Sequence, residues 1–317
     1  MSINKRYDVL VAGELNVDII LNNINKFPVI GKEVIADQMT ITLGSSSAIF
    51  ASNLSVLGTK VAFVGTLARD YFGSYVADSL QSKGVDTSYI AYTREKSTGV
   101  TIALSFQEDR AMVTYPGAMS LFSIKHIPDQ LLRQSRHLHL SSVFLSSGLR
   151  KDVIALFAKA REFGLTTSLD PQWDPDERWD IDLETLLPFV DIFIPNENEL
   201  RALTATDDVQ GAVDKLKAYA NILIVKSGRA GAFLYRGDEC IHQPAFLNDA
   251  VLDTIGAGDS FGAGFVHRFV QGRDLKECLE FGALTGAVST TRAGGTTAFE
   301  NLDMVKTIAA TAFNFKI

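Results

Sequence analysis

The 317 residues are 46% hydrophobic and 21% charged, a globular composition that excludes disorder, collagen and a continuous coiled coil as descriptions of the whole chain. The 30 Lys and Arg against 37 Asp and Glu leave a net charge of -7 with no basic stripe, which excludes nucleic acid as an expected partner. The length suits one large unit or two smaller ones; with no linker or internal repeat in view, the chain is read as one unit over 1–317.

The polar N-terminus runs straight into a strand-like segment at Asp8 to Ala12, with no apolar stretch of signal-peptide length behind Lys5 and Arg6. No segment reaches the roughly 18 apolar residues of a membrane helix. Cys240 and Cys278 are too few and too isolated for a disulfide framework or a zinc site. These features predict a cytoplasmic protein with reduced thiols and no membrane partner.

Short apolar runs at 9–12, 61–65, 137–140, 166–169, 192–194 and 222–225 read as strands. Helix-period segments at 48–57, 72–83, 151–163, 197–203 and 213–219 lie between them, which predicts an α/β sandwich on a mostly parallel sheet. Two stretches break the alternation, 33–43 and 98–115, where 99–106 and 111–115 flank a polar turn at 107–110. They predict a small sheet that projects from the body and covers a cleft; an ordinary edge hairpin is the alternative. Beyond Val251 the chain turns Gly/Ala-rich and helical, over 261–270, 275–290 and 302–313.

The stretch Asp253 Thr254 Ile255 Gly256 Ala257 Gly258 Asp259 Ser260 Phe261 carries the chemistry. Gly256, Ala257 and Gly258 lack bulk, so successive N–H groups can converge at a helix start, where open donors and the helix dipole favour an anion. A carboxylate in that turn, Asp259, is costly beside a phosphate unless it takes a proton from the group that attacks the phosphoryl. The pairing points to a kinase, against the alternative of a tight turn with an Asp N-cap.

The flanks, Asp253 and Thr254 before the turn and Gly262 to Gly264 after it, resemble the second signature of the ribokinase-like sugar kinases, the PfkB family. Further landmarks follow the family order: Gly13 Glu14 Leu15 Asn16 Val17 Asp18; Gly44 Ser45 Ser46 Ser47 Ala48 with Asn53, Leu57 and Gly58; Val61 to Gly65 with Asp70 and Gly73. Pro195 Asn196 Glu197 Asn198 Glu199 and Lys226 Ser227 Gly228 Arg229 Ala230 Gly231 complete the set.

The resemblance implies a three-layer α/β/α sandwich with a projecting β-sheet lid built from about 14–43 and 98–115. It implies phosphoryl transfer from ATP to a sugar hydroxyl, with Asp259 as base and the amides of Gly256, Ala257 and Gly258 as anion hole. Asn16 and Asp18 would bind acceptor hydroxyls beside Gly44, Ser45, Ser46, Ile49 and Ser141. Asn196 and Glu199 would organise Mg2+ through water, and their spacing of three puts both on one helical face. Lys226, Ser227, Gly228 and Gly231 would pass over the nucleotide. Asp253, Ile255, Ser289 and Gly294 would hold a monovalent cation, K+ in similar kinases. A homodimer through the lid is plausible in this family.

Ile49 stands where ribose-type members carry Asn, and Ser46 and Ser141 align with a Lys and a Glu of the ribokinase subgroup, so ribose itself is doubtful as acceptor. Another ketose, a modified sugar or a nucleoside remains open. Arg110, at the lid turn, would add a positive contact if the acceptor were charged; the alternative is a solvated arginine. Competing readings are a nucleoside kinase of the same family, a vitamin kinase on a related fold, and a sensor that binds without transfer. A dehydrogenase is disfavoured, because the first strand leads into Gly13 Glu14 Leu15 Asn16 rather than Gly-x-Gly-x-x-Gly. His137 and His139 read as core or edge packing, and Trp173 and Trp179 as packing in the loop after a strand.

Overall fold

The computed structural model describes residues 5–106, 109–248 and 250–317. Gln107 and Glu108 of the expected turn, and the Arg110 side chain, lie outside the described residues.

In chain order the first strands are β1 (Tyr7–Ala12), β2 (Asn16–Asn22), β3 (Gln38–Leu43), β4 (Val61–Val64) and β5 (Thr66–Ala68). Next come β6 (Ala91–Thr93), β7 (Gly99–Phe106), β8 (Asp109–Tyr115), β9 (Ser135–Ser141) and β10 (Thr166–Asp170). The last are β11 (Ile192–Phe193), β12 (Ile222–Lys226), β13 (Ala232–Arg236) and β14 (Glu239–Gln243). The main sheet has the order β14-β13-β12-β11-β10-β9-β1-β4, parallel from β12 to β4 and closed at one edge by the antiparallel pair β13–β14.

Both faces of this sheet are covered. Leu10 and Ala12 point into a core shared with Leu156 and Phe157 of the helix Val153–Glu162 and with Val213 and Leu216 of the helix Val209–Leu216. Val9 and Val11, of opposite parity, pack with Phe50 and Leu54 of the helix Ser46–Val56. Ile192 and Ile224 meet Phe261 and Phe265 of the helix Ala257–Val270. Burial on two sides explains why these strands read as apolar runs rather than alternating patterns. Parallel direction also gathers their C-terminal ends at one edge, where crossover loops can build a site.

A second sheet, in the order β3-β2-β7-β8, pairs β2 with β7 in parallel and the rest antiparallel. It is the small sheet foreseen at 14–43 and 98–115, although its edge strand begins only at Gln38 and 32–37 carry no regular structure. The β13–β14 hairpin escapes a periodicity search because exposed Arg236 and Glu239 interrupt its apolar side. The helix expected from 261 starts at Ala257, because Gly256 turns the chain directly into it. Similarly, the helix expected over 213–219 runs from Val209 to Leu216, started by the Asp208 side chain, which accepts from the Gly211 amide. Among the described residues no helix is long and apolar enough to cross a membrane.

Candidate active site

Gly256 has φ +72°, and a Cβ there would stand 2.6 Å from the Gly295 Cα, so both the left-handed turn and the close approach demand glycine. The turn opens the helix Ala257–Val270, whose first amides lack intrahelical acceptors. Of the expected anion-hole donors, the Ala257 amide reaches the Thr254 carbonyl at 3.2 Å. Ile49, expected along the acceptor pocket, is buried beneath this turn, against Gly256 and Gly295. Asn53 fastens the same region: its amide nitrogen donates to Ser260 Oγ and to the Gly295 carbonyl, both at 2.9 Å.

Asp259 follows the turn and is 8% exposed. Its carboxylate accepts from Gln172 Nε2 at 3.1 Å and from the Ser46 hydroxyl. Burial above all, then the charges of Asp170 and Glu14, lift its pKa to about 7 against the pull of Lys226. Lys226 Nζ meets Asp170 Oδ2 at 2.5 Å and lies 3.4 Å from where a Cβ on Gly258 would stand. Burial opposes its ammonium form, yet Asp170 and Glu199 more than offset this and hold its pKa above the ordinary lysine value. The ammonium form is thereby favoured, beside the Gly256–Gly258 turn.

Asn196 and Glu199 form a reciprocal capping box: Asn196 Oδ1 accepts from the Glu199 amide at 2.9 Å and Glu199 Oε2 from the Asn196 amide at 2.8 Å. Asn196 thus caps its own helix, while Glu199 keeps a second oxygen. Burial raises the Glu199 pKa to about 7, with Lys226 pulling the other way.

On the acceptor side, Asn16 and Asp18 sit on β2 against the Gly44–Ser47 turn. A Cβ on Gly44 would fall 2.3 Å from Asp18 Oδ1, so only glycine lets the two segments meet. Burial lifts Asp18 to a pKa of about 6. Ser45 adopts φ +69°; its hydroxyl donates to the Glu14 carbonyl at 2.6 Å and accepts from the Ala48 amide at 3.0 Å. Ser47 Oγ donates to Glu14 Oε2 at 2.5 Å and lies 3.0 Å from Ser141 Oγ. Glu14 therefore clamps both neighbours of Ser46, the residue whose hydroxyl reaches Asp259.

A cavity of about 330 Å³ adjoins the cradle, lined by Lys226, Gly228, Gly231, Ala257 and Gly258 together with Phe246, Leu247, Ala283 and Ala287. Three of the four expected nucleotide-loop residues are brought there, and the buried Ser227 hydroxyl has no hydrogen-bond partner among the described residues. Asp253 ties the expected cation loop together, with Oδ1 accepting from the Ile255 amide and Oδ2 from the Gly294 amide, both at 2.9 Å. Ser289 Oγ is buried and has no hydrogen-bond partner among the described residues. Among the described residues no group of three His, Cys, Asp or Glu side chains is placed to ligate a metal directly.

Sequence reasoning gave no site role to Asp170, Gln172, Glu14 or Thr101, although Glu14 stands in the first landmark and Asp170 and Gln172 in the loop with Trp173. Asp170 carried one signal, a carboxylate ending an apolar strand; the others depend on contacts distant in sequence. His137 and His139 pack in the core: both bond Ser168 Oγ at 2.7 Å, and His139 stacks on Phe50. Burial drives both imidazoles to low pKa, His137 to about 3. Trp173 and Trp179 pack edge to face with ring centres 4.9 Å apart.

The sequence model described as pfkB family carbohydrate kinase matches residues 7–302. The chain belongs to the PfkB family. A ribokinase of Haemophilus influenzae is 27% identical over 299 residues, covering 91% of this chain and 94% of its own length. The Arabidopsis thaliana ribokinase solved with ribose and ATP superposes with a TM-score of 0.82 at 24% identity, over 94% of this chain and 97% of that one. An E. coli protein solved with ATP and Mg2+ gives 0.82 at 23% identity, over 95% and 98%. The PfkB match and these superpositions bear out the ribokinase-like sandwich with its small separate sheet.

Proposed function

We propose that this PfkB-family carbohydrate kinase transfers the γ-phosphoryl of ATP to a hydroxyl of a small sugar or sugar-like acceptor, with Asp259 as general base. The observation that carries this reading is the placement of Asp259, buried and raised to about 7, at the head of the helix whose open amides face the cradle. At neutral pH such a carboxylate can take the acceptor proton as the oxygen attacks the phosphoryl. The amides of Gly256 and Gly258, with the Lys226 ammonium beside Gly258, would face the charge that develops on the phosphoryl oxygens. Gln172 and Ser46 hold the base in orientation.

The apolar walls at Phe246, Leu247, Ala283 and Ala287 suit a nucleobase, beside Lys226, Gly228 and Gly231 of the expected nucleotide loop. The remaining Glu199 oxygen fits Mg2+ held through water; when bound, the ion neutralises phosphate charge. Asp253, the Ile255 carbonyl and backbone oxygens around Ser289 and Gly294 would supply the all-oxygen set a monovalent cation such as K+ takes, a reading supported by the Asp253 bonds that draw the Ile255 and Gly294 segments together. For the small sheet, a lid role with homodimer contact is supported by exposed Met39, Ile102, Val113 and Tyr115, which share one face.

Asp259→Asn is the test. Transfer should fall roughly 100- to 10,000-fold while ATP affinity, read by calorimetry, stays within threefold. Retained turnover would remove Asp259 from the base role.

A further inference from the structure

Two segments far apart in the chain line the cavity beside the cradle. Ala283 and Ala287 come from the helix Leu275–Ser289, while Phe246 and Leu247 come from the stretch after β14, which has no regular structure over 244–248. Downstream, that stretch is tied to the body by hydrogen bonds: Asn248 Nδ2 donates to Thr290 Oγ1 at 3.0 Å and the Leu252 amide to the Thr290 carbonyl at 2.9 Å. Phe246 itself is held by rings. The helix Leu302–Phe313 packs Val305 and Ile308 against Leu284 and Val288, each one position beyond a cavity-lining alanine. Asn314 then ends it in the left-handed region at φ +50°, and the Phe315 amide returns to the Ala309 carbonyl at 2.9 Å. This turn brings Phe313 and Phe315 together on Phe246. Both meet its ring edge to face, with ring centres 6.2 and 5.7 Å away and planes at 77° and 86°. Edge-to-face pairs have a preferred orientation, so two of them on one half-buried ring restrict its rotamers before a ligand arrives and lower the ordering cost of binding.

We propose that Phe313 and Phe315 are positioning residues for the nucleotide, acting through Phe246, which they hold as a preset wall for the base of ATP. Neither is among the described residues that line the cavity. The proposal rests on the reading of this cavity as the ATP site. Because Phe246 stands among the apolar walls and not in the Gly256–Gly258 turn, its partners govern how the base is held and leave the phosphates alone.

Calorimetry of the whole chain with ATP and with tripolyphosphate, each with Mg2+, separates the wall from the cradle. Phe315→Ala should raise the Kd for ATP about tenfold and leave that for tripolyphosphate within about twofold. Phe315→Tyr keeps the ring and should return ATP binding to within about twofold of the parent, whereas Phe315→Leu, with bulk but no ring edge, should weaken it about threefold. The Leu variant carries the test if the Ala variant does not fold. An unmoved Kd for ATP overturns the proposal, and so does equal weakening of both probes, the result of a general loosening. Ala287→Trp, which fills the cavity, should abolish ATP binding. If it does while Phe315→Ala changes nothing, only the positioning role falls; if neither variant affects ATP, the cavity is not the nucleotide site and the reading beneath the proposal fails with it.

Discussion

Two regions meet through the Gly44–Ser47 turn and hold their polar groups differently. At the cradle, charge does the holding: Lys226 and Asp170 pair at 2.5 Å, and Glu199 and Asp259 titrate near 7 because they are buried close to other carboxylates. In the small sheet, short neutral side chains hold Asn16 and Asp18 by strand register, with hydrogen bonds of 2.9 to 3.0 Å. The cradle has an unpaired partner wherever one ion is removed; the sheet loses a single hydrogen bond. Phosphoryl transfer needs a strong fixed field, whereas choosing an acceptor needs directional matching, and the two halves are constructed accordingly.

The sharpest way to break this contrast is Lys226→Met. Removing one member of a buried ion pair leaves Asp170 uncompensated, so the free enzyme should lose about 3–5 kcal/mol of stability in denaturant titration, with transfer abolished. A loss below about 1 kcal/mol, in the range of exposed pairs, would mean that charge is not what organises the cradle. Gly256→Ala comes next. Left-handed backbone without glycine costs about 1–3 kcal/mol, and the Gly295 contact adds to it, so melting temperature and kcat should fall together.

The smallest effect is expected from Glu14→Gln, and it sharpens the comparison by shifting a pH profile. Asp259 acts as a base only when ionised, so kcat/KM should rise with pH through about 7. The Glu14 charge raises the Asp259 pKa, so its removal should move that inflection to lower pH while the Ser45 and Ser47 contacts largely persist. An inflection that stays in place would separate Glu14 from the base.

The residues of the Gly256–Asp259 turn and those of the Asn16, Asp18 and Gly44–Ser46 group could be named from the sequence, but the bonds that join them to the rest of the site could not. Gly256, Ala257, Gly258 and Asp259 are consecutive, and their function depends on backbone geometry that local residue size dictates. The parallel strands were likewise readable, because two-sided burial writes itself into runs such as Val61 to Val64. Glu14 and Gln172 could be given no role from the sequence because their contacts are with Ser47 and Asp259, 33 and 87 positions away.

Residue order alone determined the glycine turn that opens the helix Ala257–Val270, since a helix N-terminus free of side-chain bulk is a local property. Only the tertiary structure decided what surrounds it: that Ile49 packs against the glycine turn, that Asp170 holds Lys226, and that Thr101 reaches Asn16. Those outcomes follow from strand register and layer packing, which bring together side chains whose separation along the chain carries no trace of their meeting.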